Sequence, residues 1–342
     1  MSVQDFLDAA LNFQNYGELL PLFRDSIVAG AVLGLVGGLI GTFVMMRDLA
    51  FAVHGIAELS FAGAAFALLI GADVILGSVV GSILAALLLG VMGVRARDRN
   101  SIIGVIMPFG LGLGILFLSL YQGRAANKFG LLTGQIVSVD SNQLSLLVGA
   151  AVVVVAALLA IWRPLTFASA DPDIAQARGV PVRTLSMVFM FLLGISVALS
   201  IQIVGALLVL ALVITPAAAA LRVSSAPKVV VLLSITFAVT ATVGGILLAL
   251  GGRIPISPYV TTLSFLIYLV CRLLGRYRRK RGSNGRRSGS NAGGSSSAAG
   301  LGAGSGAGAI EDVDAGARAK AGELDRMSDQ VRPAAEHSGH RP

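Results

Sequence analysis

The chain is poor in charge and in cysteine. Only 13% of its 342 residues are Asp, Glu, Lys or Arg, about half the share usual in soluble proteins. With 55% apolar residues and a mean hydropathy of +0.83, an ordinary water-soluble globule is excluded. A single cysteine, Cys271, excludes an intramolecular disulfide and any cysteine-based metal cluster within one chain. It reads as a small apolar filler near a helix end. No Gly-x-x-x-x-Gly-Lys-Ser/Thr run occurs, and Glu58-Leu59-Ser60 is not part of a His-Glu-x-x-His zinc-hydrolase pattern. The residues therefore offer neither that kind of nucleotide cradle nor that protease signature. Met1 to Arg24 lacks the basic start and apolar centre of a signal peptide. It is expected to be an amphipathic lead-in, with Phe6, Leu7, Ala10 and Leu11 at helical spacing.

What the chain does contain is a succession of apolar runs of membrane-crossing length, about 20 residues each. Spans are expected near 26–46, 52–71, 74–94, 102–120, 144–162, 187–200, 203–222, 229–250 and 259–275. The fold class is an all-α integral membrane protein, a polytopic bundle of about eight or nine transmembrane helices over 25–275. The stretch 187–222 is too long for one ordinary crossing and carries a polar Ser200-Ile201-Gln202 in its middle. It is expected to be two helices joined by a tight turn or a short re-entrant unit. Gly30, Gly34, Gly37, Gly38 and Gly41 crowd the first span, with Gly77, Gly81, Gly110, Gly112 and Gly114 further on. Small residues of this kind let helices approach closely in a bilayer.

The net charge of +8 does not form a nucleic-acid surface, because the basic residues sit at segment ends and in the tail. Their placement suits membrane topology instead. Arg276, Arg278, Arg279, Lys280 and Arg281 after the last span place the C-terminus in the cytoplasm by the positive-inside rule. Arg47, Arg95, Arg97, Arg99, the loop from Arg163 to Arg183, Arg222 and Lys228 then fall on the same side. The opposite loops hold only Arg124, Lys128 and Arg253, and nine spans leave the N-terminus outside. From 276 to 342 the chain is basic, then Gly-, Ser- and Ala-rich, then mixed in charge. A segment with so little apolar content cannot bury enough to fold, and it is expected to be a disordered cytoplasmic tail in which His337 and His340 are solvated.

Two ionisable residues stand inside an apolar span. His54 and Glu58 are four positions apart, so on a helix they share one face with side-chain roots about 5–6 Å apart. Charge inside a bilayer is costly, and an intramembrane ionisable residue is by default a candidate functional site. One imidazole and one carboxylate suit divalent zinc, manganese or iron. Two ligands make a weak site, which suits a passing ion that must leave again. The competing readings are a His–Glu hydrogen bond and a placement close to the cytoplasmic interface near Arg47. Gln202, Ser60, Ser196, Ser200 and Thr215 are further polar residues at membrane depth, each more simply explained by helix-to-helix hydrogen bonding.

A second informative stretch is Ala168 to Arg183. Asp171 is placed to cap a short helix with Pro172 at its first position, and Gly179 to stop it after Arg178. Such a helix suits docking of a partner subunit, or it is a solvated connector. Further on, Pro216 removes one backbone hydrogen bond from an apolar helix. With Thr215 beside it, it marks either a hinge or a packing kink.

Three regions together resemble the membrane permease subunit of the zinc/manganese (metal-ion) class of ATP-binding-cassette importers. They are Arg47-Asp48-Leu49-Ala50-Phe51 through Gly63, Asp171 through Leu185, and Ile203-Val204-Gly205-Ala206-Leu207 through Ala219, with a weaker echo at Gly134 to Val139. The resemblance covers about residues 20 to 275. It implies a permease homodimer in a bacterial inner membrane and a separate ATP-binding subunit docked around Asp171, Asp173, Ala175, Arg178 and Gly179. It also implies an extracytoplasmic metal-binding protein that delivers the ion. The chain itself would be no enzyme and hold no resident cofactor, with divalent zinc or manganese as cargo. Where the family pattern implies Asp followed four positions later by His, this chain has His54 and Glu58. Alternatives from other classes are a stand-alone proton-coupled metal carrier and a membrane scaffold that recruits a partner through its tail.

Overall fold

The computed structural model describes residues 16–92, 96–123, 139–250 and 256–292, and no β-strand occurs among them. Residues Met1–Gly282 form one compact unit and Ser283–Pro342 another; in the second, the described residues, through Ala292, are helical. The helices in order are α1 (Tyr16–Leu22), α2 (Arg24–Met46), α3 (Ala50–Ile70), α4 (Val74–Met92), α5 (Ala96–Leu120) and α6 (Ser141–Ala160). Then follow α7 (Trp162–Ala170), α8 (Pro172–Ala177), α9 (Val182–Val204), α10 (Ala206–Val223), α11 (Pro227–Ala249) and α12 (Ile256–Ala292). Among the described residues, eight helices are long and apolar enough to cross a membrane, and α10 contributes a shorter apolar stretch, Leu208–Val223. Most of the lead-in and the Gly134 to Ser138 part of the weaker echo lie outside the described residues.

Local chemistry sets the boundaries. The α2–α3 turn is closed by Leu49 N–H donating to the Val44 carbonyl at 2.9 Å, with Asp48 in the left-handed region at φ 52°. This is the hydrogen-bonding pattern by which helices commonly stop on a glycine. The division of 187–222 falls at Gly205, whose φ of 85° and ψ of 157° belong to a region open essentially to glycine alone. It lies beyond the polar Ser200-Ile201-Gln202 where the sequence suggested it. Ser196 Oγ donates to the Leu192 carbonyl and Ser200 Oγ to the Ser196 carbonyl, each at 2.8 Å. Both hydroxyls are thus satisfied inside α9 and interrupt nothing.

Packing fixes the directions of the helices. α2 runs antiparallel to α11, with Gly34 against Val239 and Gly38 against Ile235, and parallel to α10, with Gly37 against Leu212. α3 runs antiparallel to α4 and parallel to α5. α9 starts beside the C-terminal end of α2, where Arg47 bonds Ser186. Phe43 meets Trp162 edge-on at 5.2 Å and Phe189 at 6.2 Å. One end of the bundle therefore gathers Arg47, Arg163, Arg178, Arg183, Arg222 and Lys228 together with Asp48, Asp171 and Asp173, whereas the charges described at the other include Arg24, Asp25, Asp73 and Asp140. The largest buried core surrounds Phe43, Ile56, Phe61, Phe189 and Leu193 on α2, α3 and α9. A second cluster joins Leu33, Leu147, Leu208, Ile246 and Val260 towards the opposite end.

Two helices depart from the sequence reading. α7 is a separate helix where only a loop was expected, and α5 begins earlier, at Ala96. α12 continues as helix through Ala292. Of the glycines assigned to close packing, Gly112 has no neighbour within 4 Å of the position a Cβ would take.

Candidate functional site

His54 and Glu58 both lie on α3, four residues and about 6 Å of helix apart. The His54 Nε2 to Glu58 Oε1 distance is 3.6 Å. That is close enough for attraction but too long for a hydrogen bond, so the two groups are not consumed by bonding each other. Nδ1 of His54 is buried and has no hydrogen-bond partner among the described residues. The imidazole side chain is 32% exposed and the carboxylate 11%. The pair thus sits at the margin of the single chain's core.

Neighbouring helices hold α3 in place on both sides. Gly110 of α5 comes so near that a Cβ there would lie 3.0 Å from the Glu58 carbonyl carbon and 3.1 Å from the Glu58 Cβ. One turn earlier Gly55 meets Ile103, Ile106 and Met107 of the same helix. Across from α5, Ser60 Oγ donates to the Ser78 carbonyl of α4 at 2.9 Å and lies 2.8 Å from Ser78 Oγ. Ser78 Oγ in turn donates to the Ala198 carbonyl of α9 at 3.5 Å. Sequence reading singled out Ser60 as helix glue but missed its partner, since a serine among small residues in α4 has no local signal.

Among the described residues no group of three or more His, Cys, Asp or Glu is placed to hold a metal. The pair itself supplies one imidazole nitrogen and one carboxylate. A cation there would take its remaining ligands from water, backbone carbonyls or residues beyond these.

The other candidate residues lie elsewhere and do not join this pair in one site. Asp171 caps α8 by accepting from the Ile174 N–H at 3.0 Å, with Pro172 at the first position. Gly179, at φ 81°, ends it. Val180 N–H donates to the Ala175 carbonyl and Gly179 N–H to the Gln176 carbonyl, both at 3.0 Å, which is the Schellman arrangement. Ala175 is fully buried, whereas Asp173, Ile174, Arg178 and Gly179 are exposed. The helix is anchored through one small face and offers the rest of its surface. Thr215 and Pro216 lie within α10, which runs unbroken through them and packs on both α2 and α3. Pro216 is buried and Thr215 half-buried. The proline leaves the Leu212 carbonyl without its helical partner, and Gly37 of α2 closes up to that carbonyl. The side chain of Gln202 lies outside what is described.

No local pattern in the sequence signals the joint at the basic end. There Arg47 bonds Ser186, 139 positions away, and its guanidinium carbon stands 5.5 Å from the Phe189 ring centroid. Trp162 of α7 closes the same cluster through Phe43. The turn between the site helix and α2, the start of α9 and the helix leading to α8 thereby meet in one packed unit.

Eight apolar helices of spanning length among the described residues mark a multi-pass membrane protein. The chain belongs to the ABC 3 transport family, matching it over residues 20–275. It is 29% identical over 224 residues to the manganese transport system membrane protein MntC of Halalkalibacterium halodurans, covering 65% of this chain and 77% of the relative. It is 23% identical to the high-affinity zinc uptake system membrane protein ZnuB of Haemophilus influenzae, covering 77% of this chain and 100% of the relative. The solved structure of PsaBC from Streptococcus pneumoniae in complex with Fab shares the fold. Its TM-score is 0.68 at 24% identity, over 75% of this chain and 94% of that one.

Proposed function

We propose that the chain is the permease of an ATP-driven importer that carries a divalent metal ion, zinc or manganese, through a bacterial inner membrane. The carrying observation is the His54–Glu58 pair on a span of a family-typical fold. The pair is separated by 3.6 Å and retains an unpartnered imidazole nitrogen among the described residues. One nitrogen and one oxygen ligand bind first-row divalent ions, and so small a ligand set lets the ion move on. Two such chains pair around the path, and an extracytoplasmic binding protein hands over the ion. An ATP-binding subunit docks on the exposed surface of α8 at Asp173, Arg178 and Gly179. Its closure is passed on through the Arg47–Ser186 joint to α3, while α10 bends at Thr215 and Pro216. The basic end of the bundle faces the cytoplasm on this reading, by the positive-inside rule, and with it the C-terminus.

The test is uptake of zinc and manganese, each supplied alone, by cells expressing the chain together with its ATP-binding subunit. His54→Ala and Glu58→Ala should each lower uptake of the physiological metal by at least about tenfold, in line with the loss of a metal-site group. Both variants should still reach the membrane and co-purify with the ATP-binding subunit. Unchanged uptake by both would remove the pair from the path. Uptake that survives loss of the ATP-binding subunit but collapses with the proton gradient would favour a stand-alone carrier.

A further inference from the structure

The last helix runs well past the membrane. Within the first unit α12 runs from Ile256 to Gly282, 27 residues or about 40 Å, whereas the hydrocarbon layer is about 30 Å, and its apolar window covers only Ile256–Gly275. No break separates that window from Arg276, Arg278, Arg279, Lys280 and Arg281. At 1.5 Å per residue the helix positions of these five residues fall within about 9 Å of the end of the window, across a headgroup layer of about 5–8 Å per leaflet and just beyond it. Positions 272, 276, 279 and 280, all basic, share an arc of about 100° at the helical repeat. Arg272 is exposed. Gly275 packs on the Arg222 backbone carbonyl at the end of α10, so exposed Arg222 adjoins the same patch.

The neighbouring sequence supplies no counter-charge. Between Asp173 and Glu311 there is not one acidic residue, so α9, α10, α11 and α12 carry cations only. We infer that the exit of α12, from Arg272 to Arg281 with Arg222 beside it, is a docking surface for the phosphate headgroups of anionic phospholipids. Helical continuity with the spanning segment favours a lipid over a soluble acidic partner: it holds the cations at the membrane surface, where anionic headgroups are the most concentrated negative charge. Clusters of four to eight Lys and Arg next to a span act in this way. The inference is independent of the metal reading and stands or falls without it.

The experiment uses the full chain in lipid nanodiscs and compares binding of spin-labelled phosphatidylglycerol with spin-labelled phosphatidylcholine. The wild-type chain should hold phosphatidylglycerol roughly fivefold more tightly, about the factor contributed by one surface cation. The triple variant R276Q/R279Q/K280Q should bring the ratio close to one. The charge-conserving R276K/R279K should retain the preference, which separates loss of charge from loss of folding. Concentrated salt should erase the preference, while millimolar inorganic phosphate should leave it in place. Equal binding of both lipids by the wild-type chain, or an undiminished preference in the neutralised variant, would overturn the assignment. So would displacement by inorganic phosphate, or binding of an RNA oligonucleotide in the absence of any lipid preference.

Discussion

Replacing Gly81 by Ala tests whether glycine contacts hold the site helix in place. A Cβ on Gly81 would stand 3.1 Å from the Leu59 carbonyl carbon and 3.1 Å from the Ser60 Cα. Carbon atoms prefer about 3.5–4.0 Å, so α4 must retreat from α3 by up to about 1 Å. The same retreat lengthens the bonds from Ser60 to Ser78, now 2.9 and 2.8 Å, to roughly the limit of hydrogen bonding or past it. Overpacking costs about 1–3 kcal/mol, and an interhelical hydrogen bond within a membrane is worth about 0.6–1.7 kcal/mol. Ala gains back about 1 kcal/mol of helix propensity, leaving a net loss of about 1–3 kcal/mol. Gly149 of α6 has no neighbour within 4 Å, so Gly149→Ala should keep only the propensity gain. The assay is thermal unfolding of the purified chain in detergent. Gly81→Ala should lower the midpoint and Gly149→Ala hold or raise it. Ser78→Ala added to Gly81→Ala should cost little more than Gly81→Ala alone, because the bonds are already lost. Equal shifts of one sign for the two glycines, or strict additivity with Ser78→Ala, would refute the reasoning.

Gly205→Ala places a Cβ in a backbone region reserved for glycine and should destabilise the α9–α10 corner by about 1–3 kcal/mol, read as a lower unfolding midpoint in detergent. Asp171→Ala removes the cap of α8 and should cost about 1 kcal/mol locally. Its signature is faster amide exchange over residues 172–177 with the spans unaffected, together with weaker co-purification of the ATP-binding subunit. Asp171→Asn keeps a capping oxygen and should restore both.

The parts of this protein legible in the sequence are those decided within about four residues of chain. Apolar runs of membrane length marked the spanning helices, because a bilayer offers backbone groups no partner outside the segment. The α8 cap was equally readable, since Asp171, Pro172 and Gly179 act on their own neighbours. The His54–Glu58 spacing likewise puts both groups on one face of any helix that contains them. The extra helix α7 was not readable, because the contact that seats it, Trp162 against Phe43 of α2, joins residues far apart in the chain.

Tertiary structure alone decided which small and polar residues matter. Gly110 and Gly112 stand two positions apart on α5, yet one touches the Glu58 backbone and the other touches nothing. Residues two apart point in different directions on a helix, and which direction meets a neighbour is fixed by the rotation and crossing of whole helices. The same holds for Ser60, which bonds another helix, against Ser196 and Ser200, which bond their own. It holds again for Arg47, whose partner Ser186 lies 139 residues away. Sequence by itself determined the spans, the cap and the polar pair because those follow from local hydrogen bonding and burial. The setting of the pair came only from the packing of distant helices, which no local pattern encodes.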